Sequence, residues 1–570
     1  MAEGTNRGEG AREVRAALRG ERLALLLLCA LTLAVWVAQY RPFLLPNNDY
    51  YSFERVARSL TAFELPAEYK RLPAFPAVIA LASPLMPEPH RELHAALVTN
   101  AGFALATLAL LFVYARRAMG EGAILVPLLF ATTVQFHLMG LQPLVEPSLG
   151  FFVVLTFVLH QRRSPWQYAA AFAVGLGRAE AATLAPILFF LNWRDDGRFW
   201  RHAILGALAS TWLLAWTALG AVLGKGQIFY LELMEGMGWR PEPAFALRAL
   251  RESFAFLNVS SPILLVLGLL LVGIPIAFGV ASGLRRFRRD TVLMLCFFGV
   301  ATAVVAAFGV NKARYAYPVL WIPLLFCAHG LVRLCDWATQ QMARRVPATA
   351  ESALLGAACL VWAGVLAFWM SVLGRRPSLA LPALDAGYVL ACVGIAVWVL
   401  LRNASPPTAL RRAAAFVALA FLSSVMVSGV ARKKLELHEV YHANYASWTL
   451  ARWLDENLGP EDRIIVLSRK HILHLVDLPK DRLGSFAKVK AEDPAALAAY
   501  MRDGGYALVA WTHRGDVTNR SAAYYHRRLG VALAEAFRDG AAVPGFQRVV
   551  TLPVPEEADS SDVQVYRLQP

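Results

Sequence analysis

The chain has 570 residues, 57% of them hydrophobic and only 17% charged, where a soluble domain carries about a quarter charged residues. The deficit is concentrated in apolar runs long enough to span a bilayer, which need about 20 residues each, so the composition excludes a soluble globular protein. The formal net charge of +15 comes as short arginine clusters between those runs, the placement that sets membrane topology, and it does not indicate nucleic-acid binding.

In chain order, residues 1–22 carry Arg7, Arg12, Arg15 and Arg19 and are expected in the cytoplasm. The apolar run Leu23 to Phe43 then reads as an uncleaved first anchor. Leu44 to His94 is expected as an outer loop holding an amphipathic piece, YYSFERVARSLTAF, suited to the membrane interface. Spans follow over about Leu93–Tyr114, Ala123–Met139 and Leu149–His160, with Arg116, Arg117, Arg162 and Arg163 inside and GLQPLVEPS as a short outer turn. The stretch Trp166 to Trp193 has basic residues at both ends, which predicts two short helices broken at GLGRAEA rather than one crossing.

Further spans are expected over about Ala203–Gly224, Pro262–Gly279, Thr291–Val310, Pro318–Cys335, Ser352–Leu373, Ala386–Leu401 and Ala413–Val430, with an outer loop over 225–260. This makes an α-helical polytopic membrane domain over 23–431, with about thirteen helices, N-terminus in and C-terminus out, in a cell inner membrane. Only Arg375 and Arg376, expected outside, depart from the positive-inside pattern. From 432 to 570 the composition becomes ordinary. Helix-like segments (Ala446–Leu458, Pro494–Arg502, Ser521–Phe537) alternate with the β-like runs RIIVLS, YALVAW, FQRVVTL and VQVYRL, which predicts a small extracytoplasmic α/β domain.

Charges near a bilayer are costly and mark function by default, and the topology sends a set of them to one side. Asp49 follows the first span, Lys70 and Arg71 precede LPAFP, Glu146 lies in the turn after the third span, Arg178 and Glu180 in the hairpin break, and Lys312, Arg314 and Tyr315 in NKARYAYP. Such a set suits sugar transfer from a lipid phosphate. A carboxylate takes the proton of the acceptor hydroxyl, and fixed cations hold the leaving phosphate as its charge grows. Arginine does this well because it stays charged and grips phosphate with two donors.

Each residue also has a structural reading. Asp49 and Glu146 suit helix caps, Arg178 and Glu180 suit an ion pair, Lys312 and Arg314 suit snorkelling anchors, and Lys70 with Arg71 suits an ordinary surface pair. HEVYH, His438 to His442, fits the zinc-protease spacing, but no third ligand or supporting strand follows, so chance explains it. The six cysteines lie in or beside apolar segments without a CxxC, which argues against redox chemistry.

Together these segments resemble the GT-C superfamily of integral-membrane glycosyltransferases, especially protein mannosyltransferases and the aminoarabinose transferases of lipid A. Asp49 with Tyr51 and Ala57 resembles the first-loop aspartate motif, and KRLPAFPAVIAL the basic-then-proline segment that closes that loop. LQPLVEPSLGFF resembles the second acidic turn, GLGRAEAATLAP the glycine-rich hairpin, and NKARYAYPVLWIP the arginine-tyrosine-proline segment. The resemblance covers about Leu23 to Pro323. It implies a glycosyltransferase with a polyprenyl-phosphate-linked sugar as donor and a protein, lipid or glycan as acceptor. It also implies inversion, with Asp49 as base and Lys70, Arg178 and Arg314 at the phosphate. Glu146 stands alone where some relatives carry an Asp or a pair, and the paired metal-binding acids of oligosaccharyltransferases are absent, so no cofactor is expected to be required. A flippase for lipid-linked sugars is the rival. It predicts inverted repeats and mid-membrane charges, which the sequence does not display.

Overall fold

The structure is a computed structural model. It describes residues 4–40, 46, 49–66, 68–88, 90–120, 122–225, 243–259, 261–307, 313–375, 381–402, 408–466, 469–486, 489, 491–512, 536–537, 542–553 and 562–569. The chain divides into two compact units. One comprises Met1–Tyr40 with Ser52–Leu435, and the other Arg41–Tyr51 with Glu436–Pro570.

The first unit is helical. Its elements are α1 (Gly4–Gln39), α2 (Tyr50–Thr61, from Ser52 onward), α3 (Ala74–Ala82), α4 (Arg91–Met119), α5 (Leu125–Ala131), α6 (Val134–Gly140), α7 (Glu146–Gln161) and α8 (Gln167–Gly177). They continue through α9 (Leu184–Asp196), α10 (Phe199–Val222), α11 (Phe245–Ser253), α12 (Pro262–Arg286), α13 (Arg288–Ala307), α14 (Trp321–Ala343), α15 (Ala348–Arg375), α16 (Ala383–Arg402) and the first part of α17 (Ala409–Asn457). Over its described residues each apolar run expected to span is mainly helical. By length and composition eight helices among the described residues can cross a membrane, or nine if the turn Ala313–Val319 and α14, bent by 55°, form one span. The other expected spans fall on the shorter helices α5 with α6, α7, α8 and α9. The chain is therefore a multi-pass membrane protein.

Helices in lipid gain nothing from burying apolar surface against one another and rely on close contact of small residues. The tightest pair is α12 with α14, where a Cβ added at Gly330 would overlap the Pro275 carbonyl and one at Gly279 the Phe326 carbonyl. Gly429 of α17 approaches the Thr132 carbonyl in the same way. That carbonyl lies at the α5–α6 break, where the Thr133 side chain caps α6 by accepting from Phe136 N.

The second unit carries a five-stranded sheet in the order β2-β1-β3-β5-β4, from β1 (Ile464–Val466), β2 (Leu483–Ser485), β3 (Leu508–Thr512), β4 (Phe546–Leu552) and β5 (Val563–Leu568). β1 pairs parallel with β2 and β3, whereas β5 runs antiparallel to both β3 and β4. Successive strand residues alternate between two cores, as the pleat requires. Ile464, Val466, Leu508 and Val565 face Leu450 and Leu454 of α17 and Ile472 of α18 (Arg469–Leu475). Ile465, Val509 and Tyr566 face Leu497 and Met501 of α19 (Pro494–Asp503). The four expected strands are present, and the short β2 adds a fifth. The helix expected over Ser521–Phe537 lies outside the described residues except for Ala536 and Phe537.

Candidate functional site

Three separate segments of the first unit bring charges together. The turn before α7 places Glu146 at the helix start, followed by Pro147, whose fixed φ and missing N–H suit the first turn. Asn100 of α4, fully buried, fixes this turn by donating through Nδ2 to the carbonyls of Gln142 and Leu144, each at 2.7 Å. The second segment is the hairpin break. α8 ends at Gly177, Arg178 is extended (φ −154°, ψ 140°), a 3-10 turn covers Glu180–Thr183, and α9 begins at Leu184. Pro186 falls in the first turn of α9, where a missing N–H costs no hydrogen bond. The third segment is the 3-10 turn Ala313–Val319, packed against α7 so closely that a Cβ on Gly150 would lie 2.7 Å from the Tyr317 ring.

Arg178 is the centre of the cluster. Its Nη1 donates to Glu146 Oε1 at 2.8 Å, its Nε lies 2.6 Å from Glu180 Oε1, and its guanidinium sits 3.5 Å above the Tyr315 ring. Arg314 Nε is 3.6 Å from Glu146 Oε1, with its guanidinium 5.7 Å from the same ring. Both glutamate side chains are 2% exposed and both arginines 10%. The ion pair of Arg178 with Glu180, one of the two readings of the sequence, is thus present and is extended to Glu146 and Arg314. Among the described residues, none donates to Glu146 Oε2, and the buried Tyr317 hydroxyl makes no hydrogen bond. Among the described residues, two guanidiniums against two carboxylates make a charge-balanced, desolvated cluster at the ends of apolar helices. That chemistry suits binding an anion once its balance is shifted.

The remaining expected residues lie on other segments or outside the description. Lys70 lies in a segment held on α10. Trp216 Nε1 donates to the carbonyls of Tyr69 and Arg71, both at 3.2 Å, and the Tyr69 and Trp216 rings are 4.7 Å apart. Asp49 belongs to the second unit, half-buried and immediately before α2. Lys312 and half of the loop 225–260 (226–242 and 260) lie outside the described residues, as do the side chains of His438 to His442. Among the described residues no three His, Cys, Asp or Glu side chains gather as a metal site.

Two buried charge pairs went unread in the sequence. Glu252 of α11, a helix packed on the Ala313–Val319 turn, accepts from Arg432 Nη2 at 3.2 Å and from Gln135 Nε2 at 3.1 Å. Lys433 Nζ is 2.6 Å from Asp385 Oδ1, with side chains 0% and 1% exposed, and Gln39 bonds both partners. Asp385 and Gln39 carried a usable signal as polar residues at the ends of apolar runs. Arg432 and Lys433 did not, because they sit where the composition turns polar.

No protein-family model and no curated protein matches the sequence. Solved structures do. The oligosaccharyltransferase of Archaeoglobus fulgidus tethered with an acceptor peptide is similar over 96% of this chain and 88% of its own, at 10% identity and a TM-score of 0.52. ArnT from Cupriavidus metallidurans bound to undecaprenyl phosphate is similar over 95% and 97%, at 13% identity and a TM-score of 0.48. The arabinofuranosyltransferase AftD from Mycobacteria is similar over 97% of this chain and 40% of its own, at 14% identity and a TM-score of 0.42. Apolar helices and shared architecture together make this chain a multi-pass membrane protein with the GT-C fold, as the sequence resemblance implies.

Proposed function

We propose that the chain is a glycosyltransferase that takes a sugar from a polyprenyl-phosphate-linked donor and passes it to an extracytoplasmic acceptor. The observation that carries this reading is the convergence of Glu146, Arg178, Glu180, Arg314 and Tyr315 from three distant segments into one buried cluster among apolar helices. An isolated set of charges so placed would be costly without a task. The fold shared with an oligosaccharyltransferase supports the same reaction class.

In this reading Asp49 removes the proton from an acceptor hydroxyl or amine, which attacks the anomeric carbon with inversion. The carbon–oxygen bond to the phosphate breaks, and the departing phosphate leaves with the bonding pair. Arg314 is the cation that holds it, with Lys70 and Lys312 as further cations. Arg178, already gripped by two carboxylates, orients Glu146 and stacks on Tyr315. Charge that grows on the leaving oxygen is stabilised by donors fixed in advance. The acceptor is a protein, lipid or glycan, and the active face is extracytoplasmic in the inner membrane. No metal ion is required, so chelation by EDTA is expected to leave the rate unchanged.

The test is to incubate purified protein with polyprenyl-phosphate-linked sugars and an envelope extract, and to follow release of the lipid phosphate. Asp49→Asn and Arg314→Ala are expected to lower the rate by about 10² or more. Turnover of Asp49→Asn at the wild-type rate overturns the assignment of the base, and absence of any release overturns the reaction.

A further inference from the structure

The segment Arg41–Tyr51, which bears Asp49, belongs with the C-terminal domain, although nearly 400 residues of chain separate them. Helix α18 holds it at two points. His471 Nε2 lies 3.1 Å from the carbonyl oxygen of Pro46, so that nitrogen carries the proton and donates. His474 meets the ring of Tyr51 edge-on, with centroids 5.5 Å apart, and His471 lies 6.1 Å from the same ring. Tyr50 packs edge-on against Tyr51 at 5.7 Å, and both tyrosines are buried. α18 is itself anchored, because Ile472 sits in the core against β1 and α17.

Asp49 therefore lies three residues after one fixed point and two before the other. A chain spans at most about 3.5 Å per residue, so tethers this short leave the carboxylate a narrow range of positions. We infer that His471 and His474 are positioning residues: the C-terminal domain sets where Asp49 sits, through a donated hydrogen bond on one side and a ring contact on the other. The inference rests on Asp49 being the base, as proposed above. It also gives the α/β domain a task, since a base displaced by about 1 Å loses on the order of 10² in rate.

The test uses the full-length protein in detergent and the variants His471→Ala, His471→Gln, His474→Ala and His474→Phe. His471→Ala with His474→Ala is expected to lower kcat about 100-fold with KM for the lipid-linked donor unchanged. His471→Gln, which keeps a donor, and His474→Phe, which keeps a ring, are expected to recover at least half of that loss on a logarithmic scale. Hydrogen exchange gives a readout independent of turnover. Amides of Asp49–Tyr51 should lose protection in the double alanine variant, while those of Ile464–Val466 stay protected. Wild-type kcat and unchanged protection in the double variant overturn the inference, as does loss of protection throughout β1–β5, which would mean that the histidines merely hold the fold. An inactive wild-type protein defeats the proposed function instead, and the exchange experiment still reads the clamp.

Discussion

Arg178→Met removes one guanidinium from between two carboxylates while keeping a side chain of similar length. In the wild type Arg178 lies 2.8 Å from Glu146 and 2.6 Å from Glu180, whose side chains are 2% exposed. The variant leaves Glu180 without that cation and, among the described residues, Glu146 with only Arg314, at 3.6 Å. Breaking a buried pair by removing one partner costs about 3–5 kcal/mol, so a loss of at least about 3 kcal/mol is expected, a factor of about 10² in the folding equilibrium. Adding Glu180→Gln restores one cation to one anion and should recover more than half of that loss. The assay is equilibrium unfolding in mixed micelles with rising SDS, followed by tryptophan fluorescence. A single variant within about 0.5 kcal/mol of wild type, or a double variant no better than the single, would refute the charge-balance reasoning.

The same logic applies to Lys433 and Asp385. Asp385→Asn strands a wholly buried ammonium and should cost about 3–5 kcal/mol, whereas Asp385→Asn with Lys433→Met should be close to neutral in the same unfolding assay. Gly330→Ala drives a methyl into the Pro275 carbonyl of the neighbouring helix and should destabilise by about 1–3 kcal/mol. Gly273→Ala, on α12 with open space around it, should be neutral or stabilising by up to about 1 kcal/mol, and equal effects at both sites would sink the packing argument. Glu54 of α2 has its carboxyl held above the ordinary range, first by burial, against the pull of Arg58. A raised carboxyl contributes stability that is full below its unfolded value of about 4.3 and is lost as pH rises through the folded value. Thermal stability of Glu54→Gln relative to wild type should therefore improve from pH 4 to pH 7, and a constant or shrinking difference would contradict this.

How much of this was legible beforehand follows from the physics of each signal. Hydropathy locates α1, α4 and α12 because lipid forces long uninterrupted helices. The break at Arg178 was readable because two arginine clusters cannot both lie inside after one crossing. The sequence spacing of Glu146, Arg178 and Arg314 says only that they share a side. Their meeting depends on how α7, α8 and the Ala313–Val319 turn pack, through contacts such as Gly150 on Tyr317 that no periodicity encodes. Asn100 was invisible for the same reason, since its partners are backbone carbonyls 42 and 44 residues away. The strand β2 escaped because three residues, LGS, carry too short an alternation to read.

The balance of the cluster bears on how an anionic donor enters. Arg178 and Arg314 face Glu146 and Glu180, so the described site is neutral before a phosphodiester brings its own negative charge. Placing that charge near two desolvated carboxylates is opposed unless one of them is neutralised or turned away. Glu146 is the one that can yield, because its Oε2 takes no hydrogen bond among the described residues, whereas Arg178 and Arg314 both reach its Oε1. At an effective dielectric of about 20 and a separation of about 8 Å, one unit charge opposes another by about 2 kcal/mol. Glu146→Gln should therefore bind polyprenyl phosphate at least about tenfold more tightly than wild type at neutral pH. A titration of labelled polyprenyl phosphate in micelles measures this directly. Weaker binding by Glu146→Gln would mean that this carboxylate holds the arginines in their gripping geometry rather than keeping the pocket in charge balance.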